Sequence, residues 1–266
     1  MEVHHHPDLH HKKKNFKEYF LEFLMIFLAV TLGFFAETIR ETITESNTSN
    51  EYARSIIEDL KKDTVNLSLD INELKFVDDR LDTFINMVHT KNIHELPGGT
   101  WYYYGRFGTR TTTFQTEDAT MAQLKSSGAL RYFGNYAIDT ALARYDQSTK
   151  ELAIYINLDL IYQSNIVDLR NKIFDAWYFL PVMDLKISKQ AIDSFMQQNI
   201  PLLTTARNMM IEYASYCQLK SFNNKNLIVL EMNLFKNAKS LLTELKIKYE
   251  PSNDENESRT TRKSKT

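Results

Sequence analysis

The chain contains 266 residues, which is enough for one large domain or two small ones. Its 32 basic and 34 acidic residues give a net charge of -2, so no extended basic field is present to attract nucleic acid or acidic substrates. Only 7 glycines and 5 prolines occur, which leaves few breaks for hairpins and indicates long helices. We therefore predict an all-α protein that does not bind nucleic acid.

Residues 1–17 form a short polar segment rich in histidine and lysine. Imidazoles this close together can bind zinc or nickel, but a flexible tail that contains Pro7 supplies no scaffold for a tetrahedral site. We predict a solvated cytoplasmic tail without a metal site and keep metal binding as the alternative.

A charge-free apolar run extends from Phe23 to Ala36. With its flanks, from Tyr19 to Ile39, it would rise ~31 Å as a helix, against ~30 Å of hydrocarbon in a bilayer. Its apolar residues cover every helical face, which is typical of a membrane span. We predict a transmembrane helix over residues 18–39. The anchor residues are Phe23, Leu24, Phe27, Leu28, Leu32, Phe34 and Phe35.

The basic residues around this run predict its orientation. Four lysines lie between residues 12 and 17, whereas the matching window after the run contains only Arg40. The positive-inside rule places the N-terminus in the cytoplasm and residues 40–250 outside it, with the chain in the inner membrane.

Two other interpretations of the apolar run stay open. A signal peptide would be cut after Ala36, which puts the bulky Phe34 where a small residue is needed. A buried helix of a soluble protein is the second alternative.

A heptad pattern of leucines begins after Glu51. Its positions are Leu60, Leu67, Leu74 and Leu81. Further apolar residues widen this stripe, namely Ile56, Val65, Leu69, Phe76, Val77, Phe84 and Met87. A wide apolar face favours a helix of an intramolecular bundle over a parallel dimeric coiled coil. Asp78 falls in the seam, where we expect it at a bundle edge or in a salt bridge to Lys or Arg.

The helical period stops between Asn92 and Gln115, where turn residues and strand-forming residues alternate. We predict a short aromatic and glycine-rich non-helical insertion, either a hairpin or an ordered loop. Aromatic rings beside arginines can stack on a ligand or a partner. The predicted contact residues are Trp101, Tyr102, Tyr103, Tyr104, Arg106, Phe107 and Arg110. The alternative is that these side chains cap the end of the bundle.

Helical signals resume after this segment. A helix over 119–126 ends at Gly128, a left-handed cap position, and a long helix that follows Asn135 continues to Pro181. The later predicted elements are a partly helical stretch over 182–198, helices over 202–220 and 226–249 with a light break at Asn223 and Asn224, and a disordered polar tail over 251–266.

No set of residues typical of an enzyme is found. No histidine follows His94, which excludes most triad and metal designs from the rest of the chain. No phosphate loop, dinucleotide fingerprint or nucleophile elbow occurs. The lone Cys217 cannot form an internal disulfide, and we interpret it as a small core residue. We predict no catalytic residue, no cofactor and no metal.

Three stretches carry a resemblance to known proteins: residues 16–22 leading into 33–37, residues 52–63, and residues 118–131. In these stretches the chain resembles a group of uncharacterised single-span, mostly helical envelope proteins of Gram-negative bacteria. The resemblance implies an anchored helical domain outside the cytoplasm and brings no activity with it.

These observations favour a non-enzymatic membrane protein that acts as a scaffold or a protein-interaction module of the cell envelope. Its expected partners are the lipid bilayer and either another protein or a second copy of itself. The alternatives are a sensor that binds a small ligand outside the cytoplasm and signals through its transmembrane helix, and a hydrolytic enzyme.

Overall fold

The structure is a computed structural model that describes residues 15–112, 114–184 and 186–250. The described residues form helices joined by turns and loops, with no strand among them. This confirms the predicted all-α class. The predicted disordered tail lies outside the described residues, and so does most of the histidine-rich tail. Of the latter, the structure describes only Asn15 and the first residues of α1, which begins at Phe16.

The described helices are of two kinds. The α-helices are α1 (Phe16–Thr90), α2 (Gly98–Gly105), α3 (Ala119–Ser127), α4 (Tyr136–Ile173), α5 (Lys189–Met196) and α6 (Arg207–Tyr249). The 3₁₀ helices are Arg106–Thr109, Ala129–Phe133 and Ala176–Val182.

The chain forms two compact units, Met1–Glu51 and Tyr52–Thr266. In the first unit, the described residues are Asn15 and the first part of α1, which carries exposed apolar side chains. This part of α1 contains an 18-residue apolar window of which 0% is buried, and by length and composition it is able to cross a membrane.

In the second unit, α4 and α6 lie side by side and run antiparallel. Early in α4, Ser148 is bonded to the late α6 residue Asn237, with Nδ2 donating to Oγ over 2.7 Å. Later in α4, Asp159 is bonded to the earlier α6 residue Lys220. The leucines of the α1 heptad pack inside the same unit, and each of the four is buried.

The buried apolar residues of this unit form two clusters. The first cluster takes α1 residues up to Leu74 and α6 residues from Leu227 onward. The second takes α1 residues from Val77 and α6 residues up to Cys217. Between the two clusters, α6 and its partner helices α1 and α4 carry buried polar side chains, which we call the polar layer. Its members are Asp78, Asp159, Lys220, Ser221, Asn223 and Asn224.

Local signals at two helix boundaries are confirmed. The Asn135 side chain caps α4 by accepting hydrogen bonds from the backbone N–H groups of Ala137 and Ile138. Gly128 ends α3 with a φ of 67°, a left-handed conformation that favours glycine.

Other predicted boundaries are wrong. α4 ends at Ile173 rather than near Pro181, which lies inside the third 3₁₀ helix. α6 is a single helix, although a break was expected at Asn223 and Asn224. Both asparagines are buried in the polar layer, so packing against the neighbouring helices overrides their low helical propensity.

The wide apolar face predicted for α1 is only partly buried. Ile56, Val77 and Phe84 lie in the core, whereas Val65 and Leu69 are 60% and 66% exposed. Their exposure leaves a narrower buried stripe on α1 than the residue pattern indicates.

The predicted non-helical insertion is also wrong. Residues 98–109 form α2 and the first 3₁₀ helix rather than a hairpin. Here tertiary packing decides the conformation, because the backbone of α2 lies directly against the end of α5 and the residues that follow it. A Cβ added to Gly98 would lie 1.7 Å from the Ile200 carbonyl oxygen, and one added to Gly99 would lie 2.1 Å from that of Phe195.

We expect Gly98→Ala to destabilise the protein by roughly 1–3 kcal/mol, because the added methyl group overlaps a backbone oxygen. At a helix position with free space around the glycine, the same substitution stabilises the protein by up to ~1 kcal/mol. The sign of the change in stability therefore shows whether the close contact exists. Thermal unfolding of the full chain in detergent measures the effect. Gly33→Ala is the matched control, since a Cβ there meets nothing within 4 Å. A stabilised Gly98→Ala variant would contradict the close contact.

Candidate functional site

The predicted contact residues do not form an exposed surface. Five of the seven are buried, namely Trp101, Tyr102, Tyr103, Arg106 and Phe107. The other two, Tyr104 and Arg110, are partly exposed. The rings turn inward because they pack with other aromatic side chains of the second cluster. Tyr102 meets Phe174 edge-on with ring centroids 5.1 Å apart. The indole N–H of Trp101 donates to the backbone carbonyl of Ile93 over 3.0 Å.

The arginines of this segment alternate with aromatic rings. The Arg80 guanidinium lies 3.6 Å from the centre of the Phe76 ring, and the Phe76 and Phe107 rings are 5.7 Å apart. Arg106 lies 4.5 Å from the centre of the Phe107 ring and 4.9 Å from that of the Tyr103 ring. Arg106 therefore makes cation–π contacts with two aromatic rings.

Arg106 is a buried charge with incomplete compensation. Among the described residues, its Nε and Nη1 atoms have no hydrogen-bond partner. Burial lowers the pKa of Arg106, and the positive charges of Arg110 and Arg80 lower it further, whereas Tyr103 acts in the opposite direction. Unlike Arg106, Arg110 has a hydrogen-bond partner, because its Nη2 donates to the Met183 carbonyl oxygen.

We call Arg80, Arg106 and Arg110 the arginine cluster.

The polar layer contains a fully buried ion pair. The Lys220 ammonium donates to both carboxylate oxygens of Asp159, over 2.7 and 2.8 Å, and both side chains are 0% exposed. Burial lowers the pKa of Lys220, and Asp159 partly opposes this change. Asn224 is also fully buried, and neither atom of its side-chain amide has a partner among the described residues.

Asp78 has the type of partner that the sequence predicted. The Lys225 ammonium lies 3.6 Å from Asp78 and 3.2 Å from Asp82. Ser221 also contacts Asp82, with Oγ and Oδ1 3.1 Å apart. α1 and α6 are thus joined by polar contacts at the point where the two apolar clusters meet.

A second polar group joins α1, α6 and the loop before α3. The Thr112 hydroxyl donates to Asp70 and lies 3.4 Å from Glu231 Oε1. Burial raises the pKa of Glu231 to about 9, and the charge of Asp70 and a hydrogen bond to it act in the same direction. Glu231 is therefore protonated at neutral pH.

One exposed apolar feature lies on the third 3₁₀ helix and the residue that follows it. Trp177, Leu180 and Met183 are 71%, 62% and 51% exposed, whereas Phe179 and Val182 are buried. Side chains three residues apart eclipse one another in a 3₁₀ helix, so the exposed residues stand in one row. We call this row the apolar ridge.

Two observations concern metal and thiol chemistry in the part of the chain that the structure describes. No cluster of three or more metal-ligating side chains occurs there. Cys217 is buried, and burial raises the pKa of its thiol to about 12, so the reactive thiolate is not formed at neutral pH.

Sequence reasoning missed most of the polar layer and the burial of Arg106. One available signal was the position of charged and amide residues at core spacing on α6, where Lys220, Asn224 and Glu231 fall on the buried face. Charged residues at such positions are rarely buried unless they are paired, and the partners are distant in sequence.

A search for relatives finds no matching family model, no matching curated protein and no matching solved structure. The resemblance to single-span envelope proteins therefore stays a prediction.

Proposed function

We propose that this chain is a single-pass protein of the inner membrane that acts, without enzymatic activity, as a scaffold or protein-interaction module of the cell envelope. The N-terminal tail faces the cytoplasm, and residues 40–250 form a helical bundle outside it.

The observation that carries this proposal is the exposed apolar segment of α1. Six of its seven anchor residues are exposed, from 47% for Leu28 to 71% for Phe34, and Leu24 is partly exposed. Exposing this much apolar surface to water is costly, at roughly 25 cal/mol per Å². Hydrocarbon removes that cost.

Two threonines in this segment suit an apolar environment. Thr31 Oγ1 donates to the Phe27 carbonyl oxygen over 2.7 Å, and Thr38 Oγ1 donates to that of Phe34 over 2.9 Å. Their hydroxyl groups are thus satisfied within the helix, as a lipid environment requires. These bonds support insertion of the segment without a polar partner.

The apolar ridge supports an interaction role. It leaves three large side chains in water, whereas Phe179 and Val182 of the same segment are buried. The buried thiol of Cys217 and the absence of imidazole after His94 disfavour hydrolytic chemistry in the same unit.

Photo-crosslinking in intact membranes tests this function. A photoreactive amino acid replaces Trp177 on the ridge or, as a control, the exposed Gln190 of α5. We expect defined adducts from position 177 and none from position 190. Two differently tagged copies distinguish self-association from another protein partner. A strictly monomeric protein without adducts would contradict the interaction role.

The membrane part is tested separately by fractionation and protease treatment of spheroplasts. We expect the full-length chain in the membrane fraction after alkaline extraction, with its C-terminal part digested from outside. Recovery of the intact chain in the soluble fraction, or protection of the C-terminal part, would overturn the proposed topology.

The arginine cluster favours one second candidate function, a sensor of a small ligand outside the cytoplasm. Arg80 of this cluster lies over the ring of Phe76, and both residues belong to α1. This helix also contains the apolar segment. Ligand binding at the cluster would then act on the helix through which a signal is passed.

A further inference from the structure

We propose that the arginine cluster is a binding site for a phosphoryl group, supplied by a soluble phosphate compound or by a lipid headgroup. This site goes beyond a scaffold function. It consists of Arg106 as the buried donor with Arg80 and Arg110 beside it.

The first argument is the uncompensated charge of Arg106. This residue is 4% exposed, and two of its nitrogen atoms are unpartnered among the described residues. Removing an ion from water costs more free energy than a cation–π contact returns. The contacts with Tyr103 and Phe107 therefore compensate the charge only in part.

The second argument is the sign of the neighbouring charges. Besides burial, the guanidinium groups of Arg110 and Arg80 both lower the pKa of Arg106 as like charges, whereas Tyr103 raises it. Among the residues that the structure describes, the one carboxylate paired with the cluster is Asp79, which lies 3.7 Å from Arg80 with its side chain 83% exposed. A largely solvated carboxylate screens a buried cation poorly. The cluster thus carries excess positive charge.

The third argument concerns which anion fits. A guanidinium group presents a planar fork of donors that matches carboxylate and phosphate oxygens. Three such groups favour the ligand with the higher charge, and a phosphate monoester carries about −1.5 to −2 at pH 7. Arg80 and Arg110 are partly exposed, so an anion meets them before Arg106.

The test is thermal unfolding of the full chain in detergent, with inorganic phosphate added and ionic strength held constant with sodium chloride. A ligand at ten times its Kd is expected to raise the midpoint by roughly 3–6 °C. Acetate at the same concentration is expected to raise it less, because it carries one charge.

Variants separate specific binding from a general salt effect. Arg106→Met removes the charge at similar length and is expected to abolish the rise, whereas Arg106→Lys keeps the charge, loses the fork and is expected to reduce it. Arg144→Gln, at an exposed position of α4, is the matched control and should respond like the wild type. Circular dichroism establishes that each variant is helical before phosphate is added.

Lipid nanodiscs identify the source of the phosphoryl group. A rise with inorganic phosphate in detergent indicates a soluble ligand. A higher unfolding midpoint that appears only in nanodiscs containing phosphatidic acid, and not in phosphatidylcholine alone, indicates a lipid headgroup. The Arg106→Met variant should not show this increase. The proposal is overturned if neither source raises the midpoint of the wild type, or if Arg106→Met responds as strongly as the wild type does.

Discussion

Replacing Lys220 with methionine is expected to lower the free energy of unfolding by about 3–5 kcal/mol, because the change leaves a buried carboxylate without its partner. Lys220 and Asp159 are both fully buried, and the ammonium contacts both oxygens of the carboxylate. Asp78 also lies within the field of Lys220, so the loss of one cation affects two carboxylates. Urea unfolding of the full chain in detergent, followed by circular dichroism, measures the change.

The double variant Asp159→Leu with Lys220→Met is the control for this prediction. Replacing both members of a buried ion pair with apolar residues of similar size is often neutral or stabilising. We therefore expect the double variant to recover most of the stability that Lys220→Met loses. If the two variants are equally unstable, the loss comes from packing rather than from an unpaired charge.

Between about pH 5 and pH 9, Glu231 is expected to make the protein less stable as the pH rises. Its folded-state pKa is about 9, above the ordinary carboxyl value of 4.5, so in this window the folded state binds the proton and the unfolded state does not. Stability therefore falls with increasing pH, by up to about 1.4 kcal/mol per pH unit from this group. Over several pH units the total effect is comparable to that of Lys220→Met.

Glu231→Gln removes this titration and is expected to flatten the pH dependence of the unfolding midpoint in urea. Glutamine keeps the shape and the donor that the protonated carboxyl group presents to Asp70. Glu212→Gln, at an exposed position of the same helix, is the matched control and should keep the wild-type slope. A parallel pH dependence in Glu231→Gln and the wild type would show that another group is responsible.

The structural features that the sequence predicts correctly are set by neighbouring residues. The Asn135 cap and the left-handed Gly128 involve atoms within a few positions along the chain, so their residue types are informative. The apolar segment of α1 is likewise defined by a continuous run. Helical periodicity also predicted the long helices, because it requires no knowledge of the partner helix.

The features that the sequence did not reveal depend on distant partners. The α2 segment carries glycines and strand-forming aromatic residues, but Gly98 is packed against Ile200, about a hundred positions away. Asn223 and Asn224 have low helical propensity, and burial against the other helices keeps α6 continuous through them. In both cases tertiary contacts override local preference.

The same limit applies to the candidate site. Arginines beside aromatic rings predicted a contact surface at residues 101–110, but the pattern carries no information on which side of the rings faces solvent. Phe76 and Arg80 complete the stack from α1, some thirty positions earlier, and only the folded chain brings them to Phe107. A surface was therefore predicted where the structure has an interior cluster.

We expect the polar layer to govern how the second unit opens. Because charged and amide side chains separate the two apolar clusters, disrupting one cluster exposes little apolar surface of the other. Cooperative units of a protein often follow such divisions. Amide hydrogen exchange along α6 should then show two protected blocks, residues 210–217 and 227–245, whose opening free energies respond separately to substitutions in their own cluster.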